Sequence, residues 1–353
     1  MSRIPKAKVV LAVTTVASAI AFFSASAAAS DLTIASWGGS YQKAQSDALF
    51  EPAAKALGIQ IKQVTYSGMS EVRLQVKTGA VTLDIVAAGS GSCAHAAEEG
   101  LLEPLDYKQI DVSHFYPTMH TPYCIGGDVF SNVMAWNTKT YGEKGPHTWA
   151  DFWNVKKFPG KRSYRAEVAG ALEPALMADG VPPDQVYKVL SSPGGIKRAL
   201  DKIRQLKPNI SVWWKSGAQQ AQLMKDGEVD MIVGWNGRFD AAAKDGAKVM
   251  YTFNQGLLDY DAFAIPKGAP HKAEAMKFLA EISKAKYQAN LPKYITYGPT
   301  NKQAYEIGKI SAEVAKTLPS SPANAAMQLP LDLNWYAKNE KKASAMYQDM
   351  LLE

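Results

Sequence analysis

The chain reads as an α/β protein of two domains. Short apolar strands alternate with helical stretches, the rhythm of a parallel sheet covered by helices on both faces. One run, "LDIVAA" at residues 83–88, is apolar almost throughout, as expected of a strand buried on both sides. At 353 residues the chain exceeds what one typical core supports, which gives the expectation of two domains.

Residues 1–29 read as a secretory signal. Arg3, Lys6 and Lys8 supply the positive start, and residues 9–23 are apolar but too short to span a membrane. Ala25-Ser26-Ala27 or Ala27-Ala28-Ala29 offers the cleavage site. Strand Leu32–Ser36 follows, then a helix over 41–57 and an alternating strand over 59–65. A helix over 70–78, the strand at 83–88 and a helix over 93–99 stopped by Gly100 complete a first βαβα set. Residues 129–136 form another strand, and 137–161 is rich in turns, with Thr148 as a helix cap. The second set has helices over 172–178 and 194–205, a strand over 209–213, a helix over 216–225 and a strand over 229–235. "DAFAIP", 261–266, reads as a strand opened by Asp261 and closed by Pro266. Residues 272–283 form an amphipathic helix, and the chain is helical again from Asn334.

The whole chain holds 39 Lys+Arg and 33 Asp+Glu. Removal of the leader takes three basic residues and no acids, leaving a mild net charge of +3. No basic block with interleaved aromatics is present, which argues against nucleic acid as a partner. No later segment is long and apolar enough to cross a membrane, so the mature protein is expected to be soluble and exported. Cys93 and Cys124 are the only cysteines. In an oxidising compartment an isolated pair is more often a disulfide than two free thiols, although spacing alone leaves both open.

Open parallel sheets place ligands at the carboxyl ends of their strands, so the residues just after strands are the candidates. In "IASWGGSYQ", Trp37 ends the first strand and Gly38, Gly39, Ser40 and Tyr41 follow at once. Trp37 is read as a cleft wall. The Gly-Gly-Ser turn is read as a source of backbone donors, with Ser40 capping the next helix. Ser90 and Ser92 lie in a strand-to-helix turn, where capping is the favoured role. Trp235, Asn236 and Arg238 follow another strand, and Asp261 sits beside Asp259, which is read as solvent-facing.

These residues, in this order, resemble the periplasmic solute-binding proteins of bacterial ABC importers, in their polyamine-type (spermidine/putrescine-binding) group. The likeness covers essentially the whole mature chain. It rests on "SWGGSY", "LDIVAAGSGS" ahead of "EEGLLEPLD", "GEVDMIVGWNG", "DAFAIPKGAPHKAEAMKFLAEI" and "YGPTN". It implies the two-lobed, type II periplasmic-binding-protein fold, with residues 30–136 plus 262–303 as lobe 1 and 137–261 plus 304–353 as lobe 2. The solute would lie in the interlobe cleft of a periplasmic monomer that delivers it to an inner-membrane permease, without cofactor or metal. By position, Trp37, Ser90, Trp235 and Asp261 match cleft-lining sites of that group. Glu167 falls where an acidic amine-binding residue is common, and Tyr297 and Tyr336 are weaker matches.

Three departures bear on the solute. Gly170 stands where polyamine binders carry a second carboxylate, and Asp259 replaces an expected aromatic. Arg238 places a cation at what would be a cation site. It is either an exposed residue pairing with Asp240 or a cleft residue. In the cleft, a guanidinium about 4 Å from a second ammonium would cost roughly 4 kcal/mol at an effective dielectric of 20. A carboxylate would instead be held bidentately. Arg238 and Asp261 at opposite ends of an aromatic slot specify an ω-amino acid, as in the γ-aminobutyrate-binding branch that the chain resembles. Putrescine or spermidine is the alternative. A thiol-dependent enzyme on the same fold is the distant one: no G-x-S-x-G elbow is present, "GSGSC" lacks a paired histidine, and His95, His114, His120, His147 and His271 are scattered.

Overall fold

The computed structural model describes Met1 and residues 32–353. The proposed leader falls on residues outside that set. Nine strands form one sheet: β1 (Leu32–Ser36), β2 (Ile61–Thr65), β3 (Ile85–Gly89), β4 (Cys124–Asn137), β5 (Arg162–Arg165), β6 (Ile210–Trp214), β7 (Met231–Trp235), β8 (Val249–Ala264) and β9 (Leu329–Pro330). The order across it is β2-β1-β3-β8-β4-β7-β5-β6, with β9 on β8.

The expected parallel pairing holds within each half: β1 pairs with β2 and β3, and β5 with β6 and β7. The centre is different. β4 and β8 are long antiparallel partners, and each also pairs antiparallel outward, β8 to β3 and β4 to β7. Both extend well beyond the sequence expectation. Gly126, Gly127 and Asp128 interrupt the apolar pattern at the start of β4, and Asn254, Gln255 and Gly256, which look like a turn, interrupt that of β8. Asp261 therefore lies inside a strand that starts at Val249 and does not open one. β5 was hidden in "KRSYRAE", where Arg162 is fully buried because the carbonyls of Phe152, Phe158 and Gly160 accept from its guanidinium.

Each half has its own apolar core. Leu32, Ile34, Phe50, Phe263 and Phe278 pack on one face of the first half, and Val86, Cys93, Leu101 and Cys124 on the other. In the second half Trp136, Trp149, Tyr164 and Leu172 pack on one face, Trp214, Ile232 and Phe239 on the other. The C-terminal helix Leu333–Leu352 joins the second set through Trp335, Tyr336 and Tyr347. Residues 304–318, placed by sequence with the second lobe, contribute Ala304, Ile310 and Leu318 to a cluster with Ala285 and Ala289 instead.

Local chemistry sets the helix starts. Thr148 and Asp151 form a reciprocal capping box ahead of Trp149–Trp153. Ser216 caps α3 (Gly217–Asp226), accepting from Gln219 N–H. Gly38, with φ 70°, precedes α1 (Gly39–Gln45), and α2 (Ser90–Glu98) follows Gly89 without a side-chain cap. Ser40, Ser90 and Ser92 thus do not cap.

The sulfurs of Cys93 in α2 and Cys124 in β4 are joined, closing a separation of 31 residues. On the loop-entropy estimate, that crosslink contributes about 3–4 kcal/mol. Replacing both cysteines by serine should lower unfolding stability by that amount in a denaturant titration, and an unchanged midpoint would show that the crosslink adds nothing.

Candidate functional site

Between the two halves, around the β4–β8 crossing, lies a cleft of about 800 Å³. Strand ends and helix starts supply Trp37, Ser90, Arg165, Trp235 and Arg238, and the crossing strands themselves supply Phe130, Asp259 and Asp261.

Trp37, at the end of β1, lines the cleft and is 39% exposed, with its ring 5.2 Å from that of Tyr66. The glycines after it serve the turn. A Cβ on Gly38 would lie 2.9 Å from Thr65 Oγ1, and its φ of 70° is one that favours glycine. Gly38 N–H donates to Gln42 Oε1. Gly38 and Gly39 line a separate shallow depression with Lys43 and Thr65, and Ser40 is exposed. The reading of Gly38, Gly39 and Ser40 as donors into the cleft is thereby corrected.

One end of the cleft is acidic. Asp259 and Asp261 both line it, so Asp259 does not face bulk solvent as expected from sequence. Asp259 Oδ1 accepts from the Ser90 hydroxyl at 2.6 Å and from Tyr260 N–H. Asp261 pairs across the sheet with Gly89 on one side and Asp128 on the other. Asp128 is fully buried, its Oδ2 accepting from the Tyr41 hydroxyl at 2.6 Å while Oδ1 has no partner. Gln45 donates to the Tyr41 oxygen in turn.

Crowding three carboxyls in a desolvated crossing changes their acidity. Burial raises Asp261 to about 7; the charge of Asp259 adds to this, and Tyr41 and Arg238 oppose it. Burial likewise raises Asp259, against its hydrogen bond from Ser90, and raises Asp128, with the charge of Asp261 adding.

The other end is basic and aromatic. Arg238 lies in the first turn of α4 (Asn236–Lys244) and lines the cleft. Asp240 is held by Lys244 at 2.7 Å and by Thr296, and among the described residues Arg238 makes no ion pair. Its guanidinium rests on Gly217, where a Cβ would lie 2.6 Å from Nε. Tyr297 rests on Gly237 in the same way, with a Cβ there 2.4 Å from its ring. Asn236 fixes this start of α4 by accepting from Ser131 N–H and donating to the Thr296 carbonyl. Trp235 meets Phe130 and Trp214 edge-on at 6.2 and 5.4 Å.

Glu167 reaches the rim but is 61% exposed and pairs with Arg165 at 2.6 Å, leaving it poorly placed to hold an ammonium. Gly170, φ 74°, donates its N–H to the Tyr336 hydroxyl, which donates to buried Glu173 at 2.7 Å. Tyr336 is thereby pinned as a wall of the cleft. Sequence reasoning missed Arg165 and Phe130 as lining residues and gave Tyr41, although it follows the first strand, no role of its own. The Arg165 signal lay in an unrecognised strand, and Phe130 fell inside an apolar one.

Among the described residues, no group of three or more His, Cys, Asp or Glu is placed to hold a metal ion. The cleft can instead hold a cation at one end and an anion at the other.

A family model for bacterial extracellular solute-binding protein matches residues 48–320. The chain is 39% identical over 308 residues to a gamma-aminobutyric acid-binding protein of Pseudomonas aeruginosa, covering 86% of each. A solved structure of MotA from A. tumefaciens B6 in complex with glucopine is 46% identical, with a TM-score of 0.84, covering 91% of this chain and 99% of that one. An ABC transporter substrate-binding protein from Bradyrhizobium japonicum USDA 110 is 42% identical, with a TM-score of 0.87 and the same coverage.

An ammonium held at Asp261 would require the ionised carboxylate, so its affinity would be lost as pH falls through the raised value near 7. Calorimetry with an alkylammonium solute should show affinity rising by up to about tenfold per pH unit from roughly 5 to 7 and levelling above 8. A flat profile would mean that Asp261 is already ionised at the acid end.

Proposed function

The chain belongs to the bacterial extracellular solute-binding proteins, the non-enzymatic substrate-binding components of ABC importers, and from that premise we propose that its solute is a zwitterion with separated charges, an ω-amino acid of the γ-aminobutyrate type. One observation carries this reading: among the described residues the cleft's carboxylates and guanidinia have different partners and no ion pair joins them. Asp259 accepts from Ser90 and Asp128 from Tyr41, whereas Arg165 packs over Trp235 and Arg238 lies with Trp235 against Gly217. The ammonium lies against Asp261 and the carboxylate against Arg238, with Trp37, Phe130, Trp235 and Tyr297 walling the methylene chain. Cation–π attraction at an indole face adds about 0.5–2 kcal/mol for the ammonium, depending on desolvation.

The acidic end sits on the crossing strand β8 against first-lobe residues, with Asp259 accepting from Ser90 and Asp261 opposite Gly89 and Asp128, whereas Arg238 stands in the second lobe, so the solute bridges the two. The first lobe is built on residues 32–136 and resumes from 262; the second takes 137–261 and the C-terminal helix. A diamine would put its second ammonium against Arg238, the roughly 4 kcal/mol cost that disfavours putrescine and spermidine. The protein works in the periplasm as an exported monomer and hands its solute to an inner-membrane permease.

A second reading has its own support. The cleft is wider than a four-carbon amino acid fills, and Ser90, Ser92 and Ser216 border it. A larger zwitterion carrying hydroxyls fits those features, and glucopine is the ligand of the MotA structure.

Calorimetry of the mature protein with γ-aminobutyrate, putrescine and glucopine separates these readings. Asp261→Asn should cost about 2–5 kcal/mol of binding for any amine-bearing solute, because it leaves a desolvated ammonium unpaired. Arg238→Ala should abolish γ-aminobutyrate binding while putrescine binding holds or improves. Wild-type protein that binds putrescine tightly and ignores both amino acids would refute the zwitterion.

A further inference from the structure

Arg165 has no part in the sequence reading, yet its guanidinium is held more firmly than that of Arg238. It closes β5, and its Cζ lies 5.5 Å from the ring centroids of both Trp214 and Trp235. Nη1 donates to the Ala169 carbonyl at 2.7 Å, and Nη2 to Glu167 at 2.6 Å. Its Nε is buried with no hydrogen-bond partner. The same holds for Nε of Arg238 and Nε1 of Trp235, and all three residues line the cleft.

Buried donors without acceptors are rare in native proteins, because each forfeits the water that it loses on folding. Three of them on cleft-lining residues that pack on one another, two on guanidinia, leave an acceptor-bearing anion as the missing partner, reached as the side chains shift on binding. We infer that Arg165 and the Trp235 indole N–H complete, with Arg238, a three-donor subsite for the solute's oxyanion, one that takes a sulfonate as well as a carboxylate. A sulfonate offers one oxygen to each donor; a carboxylate must share one of its two. Glu167 is then a positioning residue, orienting Arg165 and balancing part of its charge. The inference rests on the zwitterion reading and names the residues and anion class of its acid end.

The test is calorimetry with γ-aminobutyrate and 3-aminopropanesulfonate on wild type, Arg165→Met and Trp235→Phe. Methionine keeps an unbranched chain between the two indoles and removes only the charge and donors. Wild type should bind the sulfonate within about tenfold of the carboxylate, and Arg165→Met should weaken both by roughly 10- to 100-fold, the scale of a charged hydrogen bond. Trp235→Phe should weaken both by a smaller factor. A reporter that needs no stable variant is the exchange of the Arg165 Nε–H in ¹⁵N-arginine-labelled wild type, assigned with Arg165→Lys. It should slow on adding γ-aminobutyrate. Tight γ-aminobutyrate binding that is unchanged in Arg165→Met, or an Nε–H indifferent to ligand, overturns the inference and leaves the zwitterion reading standing. Sulfonate binding more than about a thousandfold weaker than carboxylate overturns the three-donor geometry. Wild type that binds neither probe overturns both.

Discussion

The antiparallel pairing of β4 with β8 is the constraint on which the rest depends. It runs from Cys124 opposite Ala264 to Asn137 opposite Val249, and every residue of β4 is buried. The ladder slips twice, between Gly126 and Asp128 and between Asn132 and Met134. At the first slip only glycine fits, since a Cβ on Gly127 would lie 2.4 Å from the Phe263 ring. The register that results sets Asp128 opposite Asp261 and Phe130 opposite Asp259. The cleft's acidic end and part of its aromatic wall are thus consequences of one strand pairing.

That arrangement conflicts with what folding alone would select. Three carboxyls are desolvated together without a cation bonded to any of them, and at the far end guanidinium and indole donors are buried without acceptors. Each is a local cost of a kind that native cores avoid. A solute bearing a cation at one end and an anion at the other relieves both costs at once. Arg238 and Arg165 belong to the second half, while Asp259 and Asp261 lie on the crossing strand against Ser90, Gly89 and Asp128 of the first, so such a solute draws the halves together. A one-headed solute satisfies one end and leaves the other as it was.

Much of this was legible in the sequence, for reasons that can be stated residue by residue. Apolar runs such as "LDIVAA" and "VDMIVGW" marked β3 and β7, and the strand-end rule then pointed to Ser90, Trp235 and Arg238, all of which line the cleft. Trp37 stood out through the glycines beside it, although those glycines, both at positive φ, line a separate depression. What stayed hidden depends on long-range pairing. β5 is four residues with an arginine at each end, so no apolar period betrays it or Arg165. The middle of β8 carries Asn254, Gln255 and Gly256, which read as a turn, so Asp261 looked like a strand start and Asp259 like a solvated neighbour. Tyr41 stood among the residues after the first strand, but nothing local shows that its hydroxyl reaches Asp128, 87 residues away.

Bridging is tested most directly by small-angle X-ray scattering of the mature protein at saturating concentrations of γ-aminobutyrate, n-butylamine and butyrate, with saturation set by calorimetry. If the solute joins a carboxylate end to a guanidinium end, only the amino acid closes the cleft and lowers the radius of gyration. The two single-headed compounds leave it at the ligand-free value. Equal compaction by n-butylamine would contradict the bridging of the two lobes by opposite charges.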